Sequence, residues 1–114
     1  MPLLSIETNQ AVDDGAVARL LETASRALAE RLGKPERYVM VRFNRNPDML
    51  FAGEDTALAY LEVKSIGLSD SQTGDLSAML CDLLEQELQI PRDRVYIEFS
   101  NAPRKLWGWN GGTF

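Results

Sequence analysis

Histidine occurs nowhere in this 114-residue chain. Its absence excludes a Ser-His-Asp triad, a Cys–His nucleophile pair and an imidazole zinc site together. Cysteine occurs once, at Cys81, so an internal disulfide and a CxxC thiol-redox motif are excluded as well. Flanked by Met79, Leu80, Leu83 and Leu84, Cys81 reads as a buried core thiol. No apolar stretch approaches the roughly 18 residues that span a membrane. No basic segment followed by an apolar run opens the chain, so no signal peptide is expected. A cytoplasmic location follows as the default, with release by a route other than a signal peptide left open. Positive charge is scarce too. The formal net charge is −5, which gains no counterion-release term on DNA or RNA and makes nucleic acid an unfavourable partner. The basic residues fall in pairs, Arg42 with Arg45, Arg92 with Arg94 and Arg104 with Lys105, rather than in a stripe. They read as solvated surface.

What is present suits a single folded domain, residues 1–114. Hydrophobic residues make up 45% and charged residues 25%, which argues against disorder. A monomer of this length buries only about two-thirds of its unfolded surface, so a partner subunit would add stability.

The chain repeats itself. Shifted by 56 positions, Leu28, Leu32, Pro35, Val39, Val41 and Phe43 fall on Leu84, Leu88, Pro91, Val95, Ile97 and Phe99. Each segment reads as helix end, proline turn, then strand, so residues 1–55 and 56–114 are two copies of one unit in a pseudo-twofold arrangement. In the first, a strand from Leu3 to Glu7 precedes a helix capped by Asp13 or Asp14. That helix carries Val17, Leu20, Leu21, Ala24, Leu28 and Leu32 at helical spacing and is ended by Gly33 and Pro35. A strand from Tyr38 to Phe43 follows. In the second, a strand near Leu58 to Lys64 precedes a Ser69/Gln72 capping box. The stripe Leu76, Met79, Leu80, Leu83, Leu84 and Leu88 follows, and then a strand from Val95 to Phe99. The expected fold is α/β: two βαβ units, parallel within each, forming a four-stranded mixed sheet with two helices on one face.

Strand alternation aims Val39, Val41 and Phe43, and Val95, Ile97 and Phe99, at the helices. The other face carries Met40, Arg42, Tyr96 and Glu98. It reads as a partly apolar surface with no cover inside the chain, suited to contact with other subunits. The tail places Trp107, Trp109 and Phe114 within eight residues. It is expected to be exposed in a monomer and buried by adding a short strand to a neighbour's sheet.

The first chemical candidate is Pro2. Removal of Met1 would expose a secondary amine on a rigid ring. An α-amino group starts near pKa about 7.7–8.0, and apolar burial favours its neutral form, which gives a general base without histidine.

The sequence resembles the macrophage migration inhibitory factor family of the tautomerase superfamily. The matching residues are collinear and run from end to end: Pro2 with Thr8-Asn9, Gly33-Lys34-Pro35 with Tyr38, Ser65-Ile66-Gly67, and Leu80-Cys81 with Leu83-Leu84. Asp93-Arg94-Val95-Tyr96-Ile97 and Gly108-Trp109-Asn110 with Thr113-Phe114 complete the set. The resemblance implies a homotrimer whose sheets wrap a central barrel, with sites between subunits. It implies keto–enol tautomerisation of an aromatic 2-oxo acid of the phenylpyruvate or dopachrome type, with Pro2 as base and neither metal nor organic cofactor. Lys34 would hold the substrate carboxylate or polarise its oxygen, and the Ile66 backbone N–H would bind substrate. Tyr96 would come from the adjacent subunit, and Leu3, Tyr38, Trp109 and Phe114 would form an apolar rim. Glu98 stands where well-known members carry asparagine; close to Pro2, it would raise the amine's pKa and oppose an anionic substrate. Trp107 replaces a smaller residue and would narrow the mouth. The stretch around Thr56–Leu61, which matches a CxxC in vertebrate members, holds no cysteine, so no thiol-oxidoreductase activity is expected. The resemblance also allows a different role, a cytokine-like receptor ligand in which the pocket is residual.

Overall fold

The computed structural model describes residues 1–114. Four strands form one mixed sheet in the order β2-β1-β3-β4, with β1 Leu3–Thr8, β2 Met40–Arg45, β3 Ala59–Ile66 and β4 Val95–Ala102. Strands β1 and β2 are parallel, β3 and β4 are parallel, and the two pairs meet through antiparallel β1 and β3. That is the doubled βαβ pattern, with the pseudo-twofold axis between the central strands. Helices α1, Asp14–Leu32, and α2, Asp70–Leu88, are the two crossovers.

The helix ends follow local chemistry. The Asp13 carboxylate accepts the Ala16 N–H at 2.8 Å and so caps α1. Gly33 closes α1 at φ +63°, a left-handed conformation that costs glycine nothing. At α2, Gln72 Oε1 accepts the Ser69 backbone N–H at 3.0 Å, one arm of the expected capping box. Each proline then opens a short 3₁₀ turn, Glu36–Tyr38 and Arg92–Arg94. The first of these delays β2, which starts at Met40 rather than Tyr38.

One core holds the layers together. Leu4 and Ile6 of β1 and Leu61 and Val63 of β3 meet Leu20 and Leu28 of α1 and Leu76, Leu80 and Leu84 of α2. All are fully or almost fully buried, and each such side chain contributes about 1.5–3 kcal/mol of transfer free energy. Val39, Val41, Phe43, Val95, Ile97 and Phe99 pack against this cluster from the outer strands, on the face assigned to them. Cys81 is buried and unpaired, and burial pushes its thiol pKa up. No helix is long and apolar enough to cross a membrane.

The structure refines three expectations. The uncovered face is more polar than expected, because β1 and β3 add Ser5, Glu7, Tyr60, Glu62 and Lys64 to it; Tyr60 donates to Glu62 at 3.2 Å and Lys64 pairs with Glu62 at 3.5 Å. The basic pairs lie at the surface as expected, Arg94 excepted, but they are engaged there. Arg92 pairs with Asp82 and Glu85, Arg45 holds Asp14 and the Val12 carbonyl, and half-buried Arg94 anchors a loop. The tail stays largely exposed in the single chain, as expected, but it is folded on itself. Gly108–Trp109 and Gly112–Thr113 pair with each other as a hairpin, β5 and β6. Its turn, Asn110-Gly111, has φ 52° and 78°, as a type I′ turn requires.

The loop between β2 and β3 carries a second such turn. Phe51 and Glu54 exchange both backbone hydrogen bonds at 3.0 Å, around Ala52 at φ 54° and Gly53 at φ 75°. Arg94 clamps this loop, donating to the carbonyls of Phe51 at 2.7 Å and of Glu54 and Thr56 at 3.1 Å. Its guanidinium also sits 5.1 Å from the Phe51 ring centroid. Asn9 holds the loop's far end through the Asp55 carbonyl and the Leu58 N–H.

Candidate active site

Pro2 lies at the start of β1, one residue before the strand's first pair. Its carbonyl accepts the Met40 N–H at 3.0 Å, which extends the β1–β2 ladder back to Pro2. Strand alternation turns its ring toward the helix side, where it is fully buried. Beside it opens a cavity of about 300 Å³ lined by Met1, Pro2, Leu3, Tyr38, Met40 and Val39 on one side. Trp107, Gly108, Trp109 and Phe114 close the other, with Arg37 on the wall.

The aromatic wall is built by folding the tail hairpin onto the 3₁₀ turn after α1. The Tyr38 ring meets Trp109 edge-on at 5.4 Å and Phe114 at 5.6 Å, while Trp109 and Phe114 stack at 5.4 Å with an 11° tilt. Such pairs add about 0.5–1.5 kcal/mol beyond area burial. Arg104 Nε fixes the chain end by donating to the Phe114 carbonyl at 3.2 Å.

An amine already sits here. The Met1 ammonium donates to the Tyr38 carbonyl at 2.5 Å. Burial lowers its pKa below the ordinary 8.0, and the nearby Lys34 charge lowers it further. An amine exposed one residue later, on Pro2, would meet the same apolar surroundings and the same cation.

Six of the ten residues singled out from the sequence therefore line one cavity: Pro2, Leu3, Tyr38, Trp107, Trp109 and Phe114. Lys34 does not line it, but its charge acts on the amine. Ile66 is buried at the end of β3. Since Leu3 pairs with Lys64 in antiparallel register, Pro2 falls opposite Ser65, with Ile66 next to it.

Tyr96 and Glu98 are not brought to this cavity. The register aligns Tyr96 with Tyr60 and Glu7, five positions from Pro2 and two strands away. At about 3.3 Å per residue and 4.8 Å per strand, that is roughly 19 Å within one chain, and for Glu98 roughly 14 Å. Tyr96 is 66% exposed and packs on Phe51 at 4.6 Å. Glu98 accepts a long 3.5 Å hydrogen bond from Tyr60. Sequence reasoning missed Arg37, Val39 and Met40 as lining residues. Arg37 was legible as a cation beside Tyr38; the other two are strand-edge residues with no chemical signal.

The fold and site together define a class: two βαβ units closing a mixed sheet, with an N-terminal proline buried beside an aromatic cavity built by the chain's own tail. Family comparison narrows the class. The model of the macrophage migration inhibitory factor family matches residues 1–114. A macrophage migration inhibitory factor homolog of Brugia malayi is 36% identical over 115 residues, covering 100% of this chain and 99% of that protein. The macrophage migration inhibitory factor of Mus musculus is 34% identical over 118 residues, with 100% and 99% covered. Among solved structures, the homologue from Prochlorococcus marinus superposes with a TM-score of 0.91 at 45% identity, over 98% of each chain. The chain belongs to the macrophage migration inhibitory factor family, within the tautomerase superfamily.

Proposed function

We propose that this protein is a keto–enol tautomerase of aromatic 2-oxo acids of the phenylpyruvate type, with the Pro2 amine as its general base once Met1 is removed. The observation that carries this reading is the buried Pro2 at the foot of an aromatic-walled cavity where an amine is held below its ordinary pKa. A neutral amine removes the proton from the carbon next to the carbonyl. The electron pair moves onto the carbonyl oxygen, and the proton is returned to oxygen or to carbon. The Lys34 cation stabilises the negative charge that develops, and the aromatic wall orients the ring. Ile66 contributes its backbone N–H.

The working form on this reading is a cytoplasmic homotrimer. Its support is the position of Tyr96 and Glu98, which are exposed and far from their own Pro2, so that they serve a neighbour's cavity. No metal or organic cofactor enters the chemistry. Replacing Pro2 with glycine in the Met1-free protein should lower kcat/KM for phenylpyruvate enol–ketone conversion about 100-fold or more, the range of a general base. Unchanged turnover in a correctly folded Pro2→Gly protein would sink the mechanism.

A further inference from the structure

Within one chain, the cavity wall carries a cation, Arg37, with no acidic side chain beside it in the lining. Arg37 is the one charged side chain among its lining residues. The guanidinium stacks on Tyr38 at 4.8 Å from the ring centroid, which fixes it against the ring that also meets Trp109 and Phe114. None of the chain's ion pairs involves Arg37, and neighbouring Glu36 does not reach it. Lys34 acts on the amine at the proline end, whereas Arg37 sits at the aromatic end. A stacked guanidinium retains the in-plane N–H groups that bind a carboxylate as a fork.

We propose that Arg37 is a specificity-determining residue, and that the preferred substrates are aromatic 2-oxo acids carrying a second acidic group on the far side of the ring. The 2-oxo carboxylate faces Pro2 and Lys34, the ring lies along Tyr38, Trp109 and Phe114, and the distal carboxylate pairs with Arg37. This deepens the tautomerase reading and, for turnover, rests on it.

The test compares phenylpyruvate with 4-carboxyphenylpyruvate on the Met1-free full chain, as wild type, Arg37→Gln and Arg37→Lys. Turnover is one readout; quenching of Trp107 and Trp109 fluorescence on binding is the other. An exposed but bidentate ion pair predicts a threefold to tenfold preference of the wild type for the diacid, roughly the upper range of surface pairs. Arg37→Gln should lose that factor selectively, lowering the diacid's value relative to phenylpyruvate, and Arg37→Lys should retain part of it. Added salt should shrink the preference. Equal affinity of the wild type for both acids, or an equal effect of Arg37→Gln on both, overturns the proposal. If neither acid turns over, the tautomerase reading fails, and the ratio of dissociation constants still decides the role of Arg37.

Discussion

Arg94 offers the most quantitative test of how the loop after β2 is held. Its guanidinium makes three hydrogen bonds of 2.7–3.1 Å to the carbonyls of Phe51, Glu54 and Thr56, and a weak fourth at 3.4 Å to Ala57. It also rests on the Phe51 ring. A hydrogen bond to a charged group contributes about 1.5–3 kcal/mol when buried, and partial exposure here reduces each one. Replacing Arg94 with alanine should therefore cost about 2–3 kcal/mol. For a chain of this size that lowers Tm by roughly 10 °C. Lysine offers a single nitrogen on a flexible stem and cannot span several carbonyls, so Arg94→Lys should recover less than half the loss. Thermal denaturation gives the energy, and hydrogen exchange at the Phe51 and Glu54 amides should show local opening before the core opens. A loss below about 0.5 kcal/mol for Arg94→Ala, or full rescue by lysine, would refute the clamp. The clamp also supports Phe51 beneath the exposed Tyr96 ring. If Tyr96 serves a neighbour's cavity, the Arg94→Ala protein should show a raised KM for phenylpyruvate with kcat less affected.

Other outcomes follow from the same geometry. Ala52 holds φ 54° at the first centre of a type I′ turn, a conformation costing an L-residue about 1–2 kcal/mol. Ala52→Gly should stabilise by about 0.5–1 kcal/mol after glycine's greater unfolded entropy is subtracted, as read by urea midpoint at unchanged m. Leu84 is fully buried between the layers, so Leu84→Ala should cost about 2–5 kcal/mol in the same assay. In the Met1-bearing chain the terminal amine should titrate below 8.0 by NMR, and Lys34→Gln should move it up. Because the folded value is the lower one, the unfolded chain holds more protons between the two. Stability should rise with pH across that window and be lost again as pH falls through the folded value. A terminal amine titrating at or above 8.0 contradicts the burial described.

The layers of the fold were legible because the 56-residue shift aligns helix ends, prolines and strand faces in both halves. Gly33, Asp13 and the Ser69/Gln72 pair act through neighbours within a few residues, so spacing alone locates them. Arg94 was not legible as a clamp, since its acceptors are carbonyls some 40 residues away that any sequence supplies. The tail hairpin was legible in Asn110-Gly111, the dipeptide of a type I′ turn. At the site, the aromatic wall and Pro2 come together from the chain's two ends, which only the assembled β1–β2 edge makes apparent. Tyr96 and Glu98 stay apart from them because β3 lies between β1 and β4.

The two ends of the polypeptide meet at one cavity: Met1 and Pro2 floor it and Phe114 walls it. Anything fused to either end would issue beside this cavity. An amino-terminal fusion keeps the Pro2 nitrogen an amide and so withholds the base altogether. A carboxy-terminal fusion leaves the base free but puts new chain beside the Trp109–Phe114 stack and the Arg104 anchor. Protein made with an affinity handle at the start should thus be inert toward phenylpyruvate while folding normally. One with a handle at the end should keep its turnover and change its choice of substrate.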